Sequence, residues 1–184
     1  MRVDSATGLL TATPHHPSPF QEARPEGVEI ELVVVHGISL PPDEFGGRWV
    51  DDLFLGRLDP TAHPYFAGIE NPRVSAHLFI RRSGAVVQYV PFHRRAWHAG
   101  VSEWKGQSGV NDFSVGIEVE GSAAWPYAGA QYRRLAAVLR ALAAAYPAID
   151  LEDGVVGHAD VAPGRKSDPW PTFDWPRLRR LLDA

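Results

Sequence analysis

The chain has no cysteine, which excludes disulfides and thiolate chemistry and removes the usual staple of small secreted domains. It has no run of ~18 uninterrupted apolar residues, so no membrane-spanning helix is read. Met1 to Phe20 carries Asp4 early and lacks the apolar core of ~7–15 residues that marks a secretory signal. A cytoplasmic location is therefore expected. Positive charge is not in excess either: the net charge is −4 at pH 7. Neither nucleic acid nor an anionic membrane is an expected partner. No repeat of 20–50 residues and no interdomain linker is visible.

What is present is an ordinary globular composition. The 184 residues are 45% hydrophobic and 22% charged, enough for one domain with a real core. Residues 1–184 are read as a single domain, with 1–28 as an irregular arm rich in Pro, Ser, His and Glu. The β-branched run at 30–35 predicts a strand buried on both faces. Residues 48–55 predict a short helix between two long loops, 37–47 and 56–73, both broken by Pro and Gly. Strands are expected at 74–80 and 85–90, joined as a hairpin through Arg82-Ser83-Gly84, and again at 113–119. A loop is expected over 91–111. The apolar stripe Tyr132, Leu135, Ala136, Leu139, Leu142 and Tyr146 predicts a helix over 130–146, stopped by Pro147. Asp174 and Pro176 open a last helix through Leu182. The sum is an α/β fold with a central mixed β-sheet and packed helices.

The chemistry concentrates in Gly154 to Trp170. Val155-Val156 delivers His158 to a strand end, and the Pro/Gly-broken loop that follows carries Lys166 and Asp168. Far upstream, His36 closes the run Leu32-Val33-Val34-Val35. Two strand-end histidines and one carboxylate make a three-ligand zinc set with an open fourth position. Each histidine taken alone reads more often as a satisfied polar residue than as a ligand. Asp160, two residues after His158, rivals Asp168 as the carboxylate, and the pattern does not choose between them. Glu118, a charge inside an apolar strand, is either an edge charge facing water or a desolvated general base. Lys166 is either a solvated loop charge or an oxyanion stabiliser. Trp97, His98 and Trp104 either cap the core or form a stacking wall for a sugar or peptide.

Taken together these residues resemble the N-acetylmuramoyl-L-alanine amidase type 2 family, and within it the AmpD-like 1,6-anhydro-N-acetylmuramyl-L-alanine amidases. The matching stretches run from Pro17 to Leu182. They include Val34-Val35-His36, Arg73-Val74-Ser75-Ala76-His77, 95–102, 111–121 and 157–169. The resemblance implies a fold like that of the peptidoglycan-recognition proteins. It implies Zn2+ as cofactor, with His36, His158 and Asp168 as ligands in preference to Asp160. It further implies Glu118 as general base, Lys166 as transition-state stabiliser, and Arg73, His77, Trp97 and His98 as cleft lining.

The activity so implied is hydrolysis of the amide between the lactyl group of (1,6-anhydro-)N-acetylmuramic acid and the L-alanine of the stem peptide, in peptidoglycan recycling. A small muropeptide is the expected partner and a monomer the expected state. The alternatives are a muropeptide-binding module without catalysis and a lytic amidase acting on intact peptidoglycan. Binding-only relatives usually lose a zinc ligand, whereas all three positions are filled here. The sequence departs from the family pattern at Gly37, where Asn is usual, and at Gly109, where Arg is usual. The second departure predicts a weaker grip on the stem peptide, and an arginine restored there is expected to lower KM if the backbone accepts it.

Overall fold

The β-branched run forms an interior strand of the main sheet. In the computed structural model, which describes residues 1–69 and 72–184, it becomes strand β1 (Leu32–Ile38), every residue of which up to His36 is buried. Further strands are β2 (Leu78–Ile80), β3 (Val86–Gln88), β4 (Ser114–Glu120) and β5 (Val155–Gly157). They make a five-stranded mixed sheet in the order β5-β1-β4-β2-β3. All pairs are parallel except the β2–β3 hairpin.

Strand alternation divides the core. Val33 and Val35 of β1 join Val115, Ile117 and Val119 of β4 in one apolar cluster. Helix α2 (Gly129–Ala145) covers it with Tyr132, Leu135, Leu139 and Leu142. Each such side chain contributes about 1.5–3 kcal/mol when fully buried. Helix α4 (Trp175–Leu182) adds Leu178 to the same layer, and Asp174 caps it by accepting from the Arg177 N–H at 2.9 Å. On the opposite face Leu32 and Val34 pack with Ala99, Val110 and Phe113. Beside them Phe79 and Val87 meet Val50, Leu53 and Phe54 of the short helix α1 (Trp49–Phe54). Between α2 and α4 lies the one-turn helix α3 (His158–Val161). No helix among the described residues is long and apolar enough to cross a membrane.

Several expectations are corrected. The arm is irregular only in part: Val3–Asp4 pairs with Leu9–Leu10, and Gln21–Ala23 pairs with Arg94–Ala96. Arg24 then pins it, its guanidinium donating to the carbonyls of Phe92 (3.0 Å), Asp112 (2.7 Å) and Ser114 (2.8 Å). Backbone pairing, one arginine and isolated apolar contacts, Leu10 in the core and Phe20 on Trp97, hold this segment, and none of these leaves an apolar period to read. The segment expected as loop at 91–111 contains the small hairpin Glu103–Trp104 with Gln107–Ser108. The strand expected over 74–80 is regular only from Leu78. His36 lies inside β1, and His158 opens α3 directly after β5. The loop expected over 56–73 holds a 3-10 turn at Pro64–Gly68; its positions 70 and 71 lie outside the described residues.

Candidate metal centre and active site

Parallel register builds the site. Glu118 of β4 lies opposite His36 of β1, and Gly157 of β5 lies opposite Val35, so His158 follows beside His36. Three neighbouring strands thus bring Glu118, His36 and His158 together at their carboxyl ends, where open α/β sheets commonly hold ligands. Asp168 arrives from the loop after α3. His36 Nδ1, His158 Nδ1 and Asp168 Oδ2 converge: the separations are 2.9 Å between the two nitrogens, 3.1 Å from His158 to Asp168, and 3.4 Å from His36 to Asp168. All three residues are buried.

These atoms suit a cation. His158 Nε2 lies 3.2 Å from the Ala99 carbonyl oxygen, which only accepts, so that nitrogen carries the ring proton. His158 Nδ1 therefore presents a lone pair toward the Asp168 carboxylate. Burial pushes the His36 imidazole down to about 4, so that ring is neutral near pH 7. Facing lone pairs repel unless a positive centre lies among them. Donors held at ~2.0–2.1 Å around a tetrahedral zinc stand about 3.4 Å apart, close to the spacing found. Asp160 is outside this group; its Oδ2 accepts from the Gly157 N–H at 2.7 Å, at the start of α3.

Glu118 Oε2 is buried and has no hydrogen-bond partner among the described residues. Burial pushes the Glu118 carboxyl well above its usual range, the Asp168 carboxylate adds to the rise, and the Lys166 ammonium opposes it. A carboxyl so placed exchanges protons nearer neutrality than a solvated one. Lys166 is exposed on its loop and lines the same cavity of about 230 Å³, together with Gly37, Trp97 and His98. A larger cavity of about 510 Å³ meets it at Leu53 and includes Arg73. That cavity contains neither Glu118 nor the converging donors, so the chemistry belongs to the smaller one.

Arg73 is exposed, with its guanidinium 5.2 Å from the Trp97 ring centroid. Trp97 stacks on Phe20 and donates its indole N–H to the Glu22 carboxylate at 2.9 Å. His77 does not line the cleft. It has no exposed surface, its Nδ1 accepts from the Gly116 N–H at 3.0 Å, and its Nε2 donates to the Arg94 carbonyl at 3.0 Å. Two backbone partners between strands engage the ring, the Arg24 guanidinium lies 3.1 Å from its Nε2, and burial and then that charge hold it neutral. His98 touches the cavity, but both of its ring nitrogens face protein groups.

Sequence reading missed Asn111. Its Oδ1 accepts from the backbone N–H of His98 (3.2 Å) and of Ala99 (2.8 Å), fixing the loop above the site. The two glycine departures also gain a reason. A Cβ at Gly37 would lie 2.3 Å from the Tyr127 hydroxyl and 2.6 Å from the Trp170 ring, so a larger residue needs both to move. Gly109 sits at φ 76°, in the left-handed region, so an arginine there is strained before it reaches any ligand.

Known proteins carry the same arrangement of elements. The family described as N-acetylmuramoyl-L-alanine amidase matches residues 26–171. The 1,6-anhydro-N-acetylmuramyl-L-alanine amidase AmpD of Escherichia coli strain K12 is 55% identical over 175 residues, covering 95% of this chain and 94% of that protein. The crystal structure of a selenomethionine AmpD derivative superposes with a TM-score of 0.94 at 54% identity, covering 99% of each chain. A more distant likeness is the E. coli amidase AmiD in complex with the substrate anhydro-N-acetylmuramic acid-L-Ala-D-gamma-Glu-L-Lys. Its TM-score is 0.59 at 30% identity, covering 86% of this chain and 60% of that one. A family match across most of the sequence, and relatives more than half identical over nearly its whole length, lead to one conclusion: the chain belongs to the N-acetylmuramoyl-L-alanine amidase family.

Proposed function

We propose that the chain hydrolyses the amide between the lactyl group of 1,6-anhydro-N-acetylmuramic acid and the L-alanine of the stem peptide, with zinc held by His36, His158 and Asp168. The observation that carries this is the pairing of two features across one strand register. Three buried donor atoms converge, and a carboxylate oxygen of Glu118, without a partner among the described residues, lines the same cavity. Zinc in such a set supplies Lewis acidity and lowers the pKa of a water toward ~7. Glu118 takes the proton of the attacking water at Oε2 and returns it to the departing amine nitrogen of L-alanine. The Lys166 ammonium faces the carbonyl oxygen as negative charge develops there. Trp97 and Arg73, stacked at the mouth, hold the muropeptide by its apolar and anionic parts. The products are the anhydro-sugar and a free peptide, as cytoplasmic peptidoglycan recycling requires.

The test compares turnover of anhydro-muropeptide with that of intact sacculus, beside zinc analysis of the purified protein. Rapid cleavage of the small substrate and one zinc per chain are expected. Asp168→Ala should lose zinc and Asp160→Ala should keep it. The reverse pattern would overturn the ligand assignment. Zinc-loaded protein that binds muropeptide without cutting it would leave only a recognition module, and faster attack on sacculus would make it a lytic amidase.

A further inference from the structure

The chain of hydrogen bonds around His98 takes its direction from its fixed end. Ser114 Oγ lies 2.6 Å from the Val110 carbonyl oxygen, which can only accept, so the hydroxyl proton is directed there. Ser114 Oγ is then left to accept, and what faces it is His98 Nε2 at 3.2 Å. His98 therefore carries its proton on Nε2, and its Nδ1 presents a lone pair. That lone pair faces His36 Nε2 at 3.0 Å, which must be the protonated nitrogen of His36. His36 Nδ1 is left bare, and it is the atom that converges with His158 Nδ1 and Asp168 Oδ2.

We propose that His98 is a positioning residue for the metal centre: it holds His36 in the tautomer whose Nδ1 is free to bind the ion, with Ser114 setting the direction of the chain. This rests on the metal reading above and extends it to residues outside the donor set.

The seat of His98 is built for this. A Cβ at Gly116 would stand 2.3 Å from His98 Cγ, so only glycine lets the ring lie against β4. Gly116 is not among the positive-φ residues, so the ring and not the backbone requires it. Asn111 fixes the backbone of His98 and Ala99, and the Ala99 carbonyl in turn takes the Nε2 proton of His158. One two-residue step thus orients both histidines. A substrate-contacting His98 would need a polar ring atom turned into the cavity, and both are already engaged.

The test is competition for zinc against a chelator, with wild type, His98→Phe, His98→Gln and Gly116→Ala. Losing such an outer partner typically weakens metal binding ~10–100-fold, and His98→Phe is expected in that range. His98→Gln, whose amide oxygen can accept the His36 Nε2 proton, should recover most of the affinity. Gly116→Ala should weaken binding by dislodging the ring without removing a polar atom. A folded His98→Phe that binds zinc as wild type does, with only a raised KM, would overturn the proposal. Because a core variant can fail to fold, 15N spectroscopy of the imidazoles in the unmutated protein as purified gives an independent reading. A proton on His98 Nε2 is expected, and one on Nδ1 would overturn the relay. Wild type without zinc would sink the metal reading, a result distinct from zinc lost only in the His98 variants.

Discussion

On one wall of the cleft His36, His158 and Asp168 are buried, and the outer nitrogen of each ring is tied to a further partner that is itself held. On the other wall Arg73 and Val74 are exposed, Trp97 is half-buried, and α1 with its flanking loops is packed mainly by apolar contact. The first wall is a buried polar network, built on the strand ends and on the short loop after α3 that delivers Asp168. The second is an adjustable surface built on loops. Chemistry at a metal needs lone pairs aimed to within a fraction of an ångström, which a parallel sheet and its outer hydrogen bonds supply. Capture of a flexible muropeptide needs area and charge, which loops supply at lower precision.

On that division the largest effects belong to the groups gathered around the converging donors, Glu118 on its strand and Lys166 on the loop after α3. Glu118→Gln keeps the shape and removes the base, so kcat should fall ~10²–10⁴-fold while zinc content and fold are retained. Lys166→Ala should fall in the same direction. Near-normal kcat in either variant, measured with saturating anhydro-muropeptide, would remove that residue from the chemical step.

Intermediate effects belong to the loop wall. Arg73→Ala should raise KM roughly tenfold or more, since a hydrogen bond to a charged group contributes ~1.5–3 kcal/mol. kcat and zinc affinity should stay as they are. Steady-state kinetics showing a fall in kcat at constant KM would break the comparison, because the outer wall would then share in the chemistry.

The smallest effect is expected at Gly109, whose left-handed φ of 76° opposes the gain an arginine would bring. A side chain there costs about 1 kcal/mol or more of backbone strain. Gly109→Arg should therefore lower thermal stability slightly and improve KM by less than tenfold. Thermal melts beside KM measurements check this. A large gain in KM at unchanged stability would show that the loop relaxes freely.

Much of the frame was legible. The run at 32–35, the stripe of α2 and the cap of α4 follow from period and capping chemistry, and each stands in the structure as an element within a few residues of its expected bounds. The arm was not legible, because Gln21–Ala23 is a polar edge strand paired through its backbone, and Arg24 acts through carbonyls contributed by residues about 70 to 90 positions away. His77 and His98 looked alike in sequence. One is consumed by backbone between strands, while the other meets a metal-ligand candidate.

By itself the sequence determined the residue types: a strand that must be buried on both faces, two histidines and two carboxylates able to share one site, and glycines at positions 37, 109 and 116. Tertiary structure decided which of those residues meet. Register placed Glu118 against His36, the loop after α3 brought Asp168 and not Asp160 to the histidines, and His98 came to lie between Ser114 Oγ and His36 Nε2. The physical reason is that residue identity fixes what an atom can donate or accept. Its partner is fixed by chain segments more than a hundred residues apart, and those are set only when the sheet closes.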